Sequence, residues 1–298
     1  MNLFEIVQKF GADNNCVAGA CDASPLDPVH LQASAFVPFV RKNIEQRTNP
    51  AAILPGAQSI IVLGVGADNS DTELPSLGTD TQQTALLSSL GTGRDYHVRV
   101  KSLLNELVGQ LSQHASFSHK ILVDSPTLDE RAFALRAGIG FLGRNGLIIS
   151  PMFGSRFNIG LLLTDILIPA PSPYVGNCPP NCRLCIDACP NNALAPSQPL
   201  NTARCISYLT QKAVLSAEEE TLLGNQLYGC DICQNACPFN TPQTKTYINP
   251  QDWLNMDDDA FAKKYAHTAM LWQGAQLLRR NAQIVNKNSR YIAIPILT

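Results

Sequence analysis

The sequence predicts a mixed α+β or α/β domain followed by a smaller cysteine-rich domain and a helical C-terminal segment. Strand-sized apolar runs alternate with helical patterns up to residue 169, a proline-rich segment follows at residues 168–173, and eight of the ten cysteines lie between Cys178 and Cys237. The 298 residues are 45% hydrophobic and 15% charged, which excludes a disordered chain. A net charge of −2 provides no strong basic field for nucleic acid.

Hydrophobic periodicity predicts the elements of the first domain, residues 1–169. Strands are predicted at residues 59–65, 121–123, 147–149 and 159–163, and helices at residues 96–111 and 127–137. The second helix is expected to begin at a Ser125-Pro126 cap and to stop at Gly138. The Gly-, Ser- and Thr-rich residues 67–92 are expected to form a long loop.

Residues 168–173 predict a stiff linker, because they contain three prolines within five residues. A cysteine-rich domain at residues 170–245 follows the linker. The last segment, residues 246–298, is predicted to be helical, with a core at Met270, Leu277 and Leu278 and a polar side at Arg279 and Arg280. The sequence shows no targeting segment and no run of 18 apolar residues, so we expect a cytoplasmic monomer without membrane contact.

Two cysteine runs carry the strongest signal. Residues 178–190 have C-x₃-C-x₂-C-x₃-C-P spacing, and residues 230–238 repeat the C-x₂-C-x₃-C-P ending after an isolated Cys205. This ending is typical of two-cluster bacterial ferredoxins, in which the cysteine before proline binds the other [4Fe–4S] cluster. We assign one cluster to Cys178, Cys182, Cys185 and Cys237, and the second to Cys189, Cys205, Cys230 and Cys233.

An alternative to the clusters is a pair of structural zinc sites, since paired C-x₂-C motifs also suit tetrahedral zinc. The two matching cysteine–proline endings favour iron–sulfur clusters. Cys205 lies 25 residues before Cys230, which predicts an inserted helix at residues 215–227. Cys16 and Cys21 are interpreted as buried thiols, because the other eight cysteines fill two clusters.

Three segments of the first domain are candidates for a functional site. Asp124 follows a predicted strand at its carboxyl end, where α/β sheets bind ligands, and apolar neighbours would raise its pKa for proton donation. The alternative is an ordinary capping aspartate. Residues 91–97 combine glycine, charge and imidazole, and residues 138–146 contain four glycines. A glycine turn into a helix and close packing of two elements are the alternatives for these segments.

Several motifs, taken in order, resemble the epoxyqueuosine reductase family of cobalamin-dependent iron–sulfur enzymes. They are Asn49-Pro50 with Leu54-Pro55-Gly56-Ala57, Gly93-Arg94-Asp95-Tyr96-His97, Val123-Asp124-Ser125, Ala137-Gly138-Ile139-Gly140-Phe141-Leu142-Gly143-Arg144-Asn145, Gly154-Ser155 and the two cysteine runs. The resemblance extends over about residues 40–240, and the architecture is similar to that of reductive dehalogenases.

The resemblance implies a nitroreductase-like domain that binds cobalamin, packed against a ferredoxin-like domain whose two clusters deliver electrons to cobalt. It implies reduction of epoxyqueuosine to queuosine in tRNA, with Asp124 as the catalytic proton donor. The positions that it implies for the cobalamin or substrate pocket are Tyr96, His97, Ser125, Gly143, Asn145 and Ser155. An external low-potential electron donor of the flavodoxin or ferredoxin type is expected.

The sequence also departs from the family pattern. Residues 88–91 read Ser-Ser-Leu-Gly where family members carry Ser-Arg-Tyr-Ala. Family members continue into a helical-repeat domain that helps to hold tRNA, so we expect a shorter member without that domain. Two further hypotheses are a cobalamin and iron–sulfur reductase of a small molecule, similar to reductive dehalogenases, and a ferredoxin-type electron carrier without catalysis.

Overall fold

The computed structural model describes residues 2–27, 44–67, 85–169, 174–196 and 200–291. Its strands are β1 (Cys16–Asp22), β2 (Ser59–Gly66), β3 (Ala85–Leu87), β4 (His119–Val123), β5 (Phe141–Leu142), β6 (Ile148–Ile149), β7 (Phe157–Thr164), β8 (Gln226–Tyr228) and β9 (Thr246–Ile248). Its helices are α1 (Leu3–Asp13), α2 (Ile44–Thr48), α3 (Ser89–Thr92), α4 (Tyr96–Leu111), α5 (Glu130–Arg136), α6 (Leu184–Asp187), α7 (Ile206–Leu209), α8 (Ala217–Leu223), α9 (Ile232–Asn235), α10 (Pro250–Leu254), α11 (Asp258–Tyr265) and α12 (Ala275–Tyr291). Residues 170–173 of the predicted linker lie outside the described residues.

A four-stranded sheet, in the order β1-β2-β7-β4 with antiparallel neighbours, forms the centre of the first domain. Ile61 and Leu63 of β2 face a core shared with α1 and α4. Ile60 and Val62 face the opposite core, which contains residues of α5. Because both faces are buried, β2 is a continuous apolar run rather than an alternating one, and the predicted mixture of helices and strands is confirmed.

The predicted helix at residues 96–111 is confirmed as α4. The Asp95 carboxylate accepts a hydrogen bond from the backbone N–H of His97 and caps the first turn. The apolar positions predicted from helical spacing, among them Leu104 and Leu111, are fully buried against the sheet. Local periodicity and a local cap therefore determine this helix.

The predicted start of the next helix is wrong. Helix α5 begins at Glu130, and its cap is Asp129, whose side chain accepts a hydrogen bond from the N–H of Ala132 at 3.1 Å. Ser125 instead forms a turn, with its hydroxyl 2.6 Å from the Thr127 hydroxyl. The predicted stop is confirmed, because Gly138 has a φ of +72°, which favours glycine.

The N-terminal elements α1 and β1 were not predicted from the sequence. A capping box between Asn2 and Glu5 starts α1. In β1, Cys16 and Cys21 are 3% and 4% exposed, in agreement with their interpretation as buried thiols. Strand β1 lacks a clear two-residue alternation because it contacts α1 on one face and α5 on the other.

A second, three-stranded sheet contradicts part of the predicted loop at residues 67–92. Strand β3 pairs in parallel with β8 and antiparallel with β9, and α3 follows it. Residues 68–84 of the loop lie outside the described residues. Since β3 is three residues long, only its pairing with distant strands shows it to be a strand. The domain boundaries drawn from the sequence stay a prediction.

The C-terminal segment is mainly helical from Pro250 to Tyr291, as expected, and shares a core with the second sheet, but its first residues, Thr246–Ile248, form β9. Residues 292–298 lie outside the described residues. Met270 and Leu278 are fully buried in this core, and Leu277 packs against it. Arg279 and Arg280 make polar contacts, in agreement with the predicted polar side, but both are half-buried rather than exposed. Arg279 donates to the Met256 carbonyl and Arg280 to the Lys212 carbonyl, so both cations bind backbone oxygens of neighbouring segments.

The insertion between Cys205 and Cys230 contains less helix than predicted. Helix α8 ends at Leu223, and the chain continues through Gly224, at a φ of +61°, into β8. Pairing with β3 turns the last part of the predicted helix into a strand. Among the described helices, none combines the length and the apolar character needed to cross a membrane.

Candidate active site and cluster cavities

Asp124 lies at the end of β4 and adopts a left-handed backbone conformation, with a φ of +49°. The Tyr96 hydroxyl, from the first turn of α4, donates a hydrogen bond of 2.8 Å to its Oδ2 atom. The Nε2 atom of His97 lies 3.7 Å from the same oxygen. Two residues predicted for one pocket are therefore brought to the predicted acid by the packing of α4 against the sheet.

A second carboxylate, that of Asp95, contacts the other nitrogen of the His97 ring. The Asp95 Oδ1 atom is 2.7 Å from the Nδ1 atom of His97, and the imidazole stacks on the Tyr96 ring with centroids 4.1 Å apart. These contacts hold the ring with one nitrogen towards Asp95 and the other towards Asp124. The result is a continuous Asp95–His97–Asp124 chain of ionisable groups.

The electrostatics of this chain contradict the expected raised pKa of Asp124. The His97 imidazole, together with the Tyr96 hydroxyl, lowers the pKa of Asp124. The neighbouring carboxylates of Asp124 and Asp95 raise the pKa of His97 against the opposing effect of burial. The Asp124 side chain is 65% exposed, so it borders an open space instead of an apolar pocket. Both shifts favour the ion pair, with the proton on His97 and the charge on Asp124.

Glu130 accepts a hydrogen bond from the loop that carries Asp124. Sequence reasoning missed this contact. The Glu130 Oε1 atom accepts a hydrogen bond of 2.9 Å from the backbone N–H of Ser125. Burial, reinforced by the nearby charges of Asp124 and Asp129, raises the pKa of Glu130 to about 8. In the sequence this residue looks like an ordinary acid in the first turn of a helix, and no local signal distinguishes it.

A cleft of about 1040 Å³ lies beside the Asp95–His97–Asp124 group, with Asp95 among its lining residues. Its walls come from β2, from the segment leading into α4, from β7 and from the cysteine-rich region. Lining residues include Gly66, Asp95, Tyr96, Leu103, Ser155, Phe157, Asn158, Asp231 and Gln234. Of the residues predicted for the pocket, Tyr96 and Ser155 line this cleft. Ser125 lies on the Asp124 loop.

Ser155 and Arg156 connect the cleft to the cysteine-rich region. The Ser155 hydroxyl donates to Gln234, and its backbone N–H donates to the Asn240 side chain at 2.7 Å. Arg156 donates to the side chain of Asn235 at 2.6 Å. Sequence analysis missed Arg156 and Asn240, because their partners lie about 80 residues away in the chain.

Four cysteines line one small cavity at the junction with β5 and β6. They are Cys178, Cys182, Cys185 and Cys237, and Arg144, Asn145, Ile149, Pro238 and Phe239 complete the lining. Burial raises the pKa of Cys185, and the neighbouring thiols of Cys237, Cys178 and Cys182 raise it further. The grouping assigned from spacing to one cluster is thus a spatial neighbourhood.

The remaining cysteines form a second neighbourhood. Burial raises the pKa of Cys230 to about 12, with Cys205 and Cys189 among its charged neighbours. Burial also raises the pKa of Cys233, next to Cys230 and Cys205. Within the described ranges, no three His, Cys, Asp or Glu side chains converge on a single metal ion.

Gly143 and Asn145 do not line the cleft themselves, but both hydrogen-bond to Leu147, which does line it. A Cβ atom at Gly143 would stand 2.5 Å from the Ile149 side chain, so this glycine serves the close packing of β5 against β6. Asn145 lines the cavity of the first four cysteines. The predicted role of both residues in cobalamin binding stays a prediction.

Comparison with known proteins agrees with this geometry. The family model for a 4Fe–4S double cluster binding domain matches residues 178–240. The family model for epoxyqueuosine reductase QueG (DUF1730) matches residues 47–125. The first match contains all eight clustered cysteines, and the second contains Asp95, His97 and Asp124.

Curated relatives and solved structures extend the similarity over nearly the whole chain. The epoxyqueuosine reductase of Staphylococcus aureus is 33% identical over 89% of this chain and 74% of its own length. That of Lactococcus garvieae is 33% identical over 97% and 88%. A crystal structure of an epoxyqueuosine reductase with an epoxyqueuosine-modified tRNA stem loop has a TM-score of 0.83 and 29% identity, over 96% of this chain and 80% of the other. The Streptococcus thermophilus structure has a TM-score of 0.83 and 30% identity, over 97% and 82%.

A mixed α/β domain with an acid-bearing cleft, joined to a double-cluster region, defines an iron–sulfur oxidoreductase with two [4Fe–4S] clusters. Within that class, the chain belongs to the epoxyqueuosine reductase family. Members of this family reduce epoxyqueuosine to queuosine. The comparisons thus confirm the resemblance recognised in the sequence.

Proposed function

We propose that this chain reduces epoxyqueuosine within tRNA, with cobalamin bound in the cleft and the two clusters as its electron supply. Removal of the epoxide oxygen as water consumes two electrons and two protons for each queuosine formed. The observation that carries the proposal is the Asp95–His97–Asp124 chain, which offers a proton at the edge of the cleft. The similar fold of a relative solved with a modified tRNA stem loop supports tRNA as the substrate.

The cleft suits cobalamin in size and lining. Its volume of about 1040 Å³ reaches the upper end of the ~300–1,000 Å³ that small-molecule sites occupy. Apolar Leu103 and Phe157 alternate in its walls with polar Ser155 and Asn158, as expected for a large ligand with an apolar ring and amide edges. When bound there, cobalamin supplies a strongly reducing cobalt centre.

Residues of this chain hold and move the protons. The raised pKa of His97 favours the charged imidazole. Asp124 Oδ2 lies 3.7 Å from this ring and accepts a hydrogen bond from Tyr96, which lines the cleft. The separation of 3.7 Å is longer than a hydrogen bond, and catalytic contacts often tighten only when substrate binds. The proton passes from His97 Nε2 to Asp124 Oδ2 and then to the departing oxygen. Asp95 orients the ring, and Tyr96 positions the carboxylate.

The electrons come from outside the chain, because each turnover consumes two. The eight cysteines of the two cavities hold the two clusters, and an external donor of the flavodoxin or ferredoxin type refills them. None of the ten cysteines, all of which lie within the described residues, forms a disulfide. This is usual in a reducing compartment and supports a cytoplasmic reaction.

Substitution of Asp124 tests the proton donor. We expect Asp124→Asn to keep cobalamin and iron and to lower the single-turnover rate with epoxyqueuosine-tRNA by about 10²–10⁴-fold, the range for loss of a general acid. Asp13→Asn, the same chemical change at an exposed helix end, is the matched control and should react normally. A near-wild-type rate in Asp124→Asn would remove this role.

The same assay separates the three functional hypotheses. Reduced protein with cobalamin is incubated with the modified tRNA stem loop or with a small halogenated aromatic substrate. Formation of queuosine supports the proposal, whereas dehalogenation without queuosine formation supports a small-molecule reductase. Failure to bind cobalamin would support an electron carrier.

A further inference from the structure

Asn145 contains a buried donor that the protein does not satisfy. The residue is 4% exposed, and its Oδ1 atom accepts a hydrogen bond of 3.2 Å from the backbone N–H of Leu147. Among the described residues, its Nδ2 atom has no hydrogen-bond partner. Buried amide groups are nearly always paired, so such a donor requires an explanation.

The orientation of this amide follows from the local backbone. Exchanging its oxygen and nitrogen would place an N–H group against the N–H of Leu147, which only an acceptor satisfies. The Gly143 N–H donates to the Leu147 carbonyl at 2.8 Å, and the Gly146 N–H donates to the Gly143 carbonyl at 2.9 Å. This tight connection between β5 and β6 holds Asn145 in place. A Cβ atom at Gly143 would lie 2.7 Å from Asn145 Oδ1, so glycine is needed beside it.

Asn145 also lines the cavity formed by Cys178, Cys182, Cys185 and Cys237. Its oxygen accepts the hydrogen bond from Leu147, so the Nδ2–H₂ group is the part of this lining side chain that is left without a partner among the described residues. Sulfide and thiolate sulfurs of an iron–sulfur cluster are acceptors for N–H groups, and such hydrogen bonds tune the reduction potential.

We propose that the Asn145 side chain donates a hydrogen bond to the [4Fe–4S] cluster of these four cysteines and raises its reduction potential. Reduction adds one negative charge to the cluster, and a donor stabilises the more negative state more strongly. The inference rests on the cluster assignment made under the proposed function. In this inference Asn145 sets the reduction potential of one cluster and has no role in binding the corrin ring.

The test uses protein with both clusters and without cobalamin, titrated electrochemically and followed by electron paramagnetic resonance. Asn145→Asp keeps an acceptor for Leu147 and loses the N–H donor. We expect the equilibrium constant for reduction of one cluster to fall about tenfold, which corresponds to ~59 mV for one electron. The other cluster should be unchanged. Asn105→Asp adds the same charge on the exposed side of α4 and should shift neither potential.

A second measurement needs no variant. In wild-type protein labelled with ¹⁵N-asparagine, electron–nuclear double resonance should detect a ¹⁵N and an exchangeable proton coupled to one reduced cluster. Absence of that coupling, or wild-type potentials in Asn145→Asp, would overturn the hydrogen bond when ~eight irons are present. Fewer than ~eight irons in the wild type would instead refute the cluster assignment, and the bond with it.

Discussion

The central sheet and the cysteine-rich region are built in opposite ways. Strand β2 is buried along seven of its eight residues, and apolar cores cover both faces of its sheet. Around the cysteines, α6 and α9 are four residues long, and the small apolar clusters there consist partly of cysteines themselves.

This difference indicates two sources of stability. Burial of apolar surface stabilises the sheet without any ligand. Short helices have too few packed residues to be stable alone, so the cysteine-rich region depends on its clusters, as metal-dependent folding units generally do. The contacts of Ser155 and Arg156 with Asn240 and Asn235 join the two regions at the cleft.

Removal of one cluster ligand should have the largest effect. It should destabilise the cysteine-rich region and leave the central sheet stable. In Cys185→Ala, we expect the iron content to fall from ~eight to ~four atoms per chain. Hydrogen exchange should accelerate in residues 178–240 and stay slow in β2 and β7. Cys16→Ala, a buried thiol in β1, is the control and should retain all the iron. Equal acceleration in the sheet would show that the two regions fold as one unit.

A cavity created in the core of the sheet should have the reverse effect, because it should destabilise the sheet and leave the iron content unchanged. Leu162 of β7 is fully buried in the core beneath α1 and α4. We expect Leu162→Ala to lower the free energy of unfolding by about 2–5 kcal/mol, because buried contacts are lost and a void remains. Denaturant unfolding followed by circular dichroism measures this loss. The iron content of the folded variant should equal that of the wild type, and loss of iron without denaturant would contradict the separation.

The smallest effect concerns Glu130, which lies between the sheet and the active-site loop. Its pKa is raised to about 8 from an ordinary value of 4.5, so the folded state favours the protonated acid. Stability from this group is present below pH 4.5 and is lost as the pH rises towards 8. In Glu130→Gln this part of the pH dependence should disappear.

Thermal unfolding between pH 5 and pH 8.5 measures that change. Each kcal/mol corresponds to roughly 2–4 °C in the midpoint for a chain of this size class. Glu45→Gln, at an exposed position of α2, serves as the control and should follow the wild-type curve. Parallel curves for wild type and Glu130→Gln would show that Glu130 does not titrate in this range.

Much of the candidate site was predictable because its signals are local. The spacing of the cysteines alone divides eight of them into two groups, and the structure brings the members of each group together. Helix α4 was predicted from its apolar period and has the predicted ends. Asp124 was found from its position after a strand and from its family motif.

Other features depend on residues that are distant in the sequence. The antiparallel sheet contradicts the idea that Asp124 marks the edge of a parallel α/β sheet. Asp124 is connected to the cleft through Tyr96, which lines it and donates a hydrogen bond to the Asp124 carboxylate. The direction of its pKa shift depends on His97 and Tyr96, which only the packing of α4 against β4 brings near. Strands β1 and β3 and the supporting role of Glu130 were missed for the same reason.

The sequence by itself determined the cysteine grouping, the long helix and the family, because spacing, periodicity and motif order are properties of neighbouring residues. Only the tertiary structure decided the directions of the pKa shifts at Asp124, His97 and Glu130, and that the Asn145 amide is buried with an unpaired donor among the described residues. Long-range packing sets the charge and solvent exposure around each group. Those surroundings, rather than residue type, determine whether a carboxyl holds its proton and whether an amide is left to bind a cluster.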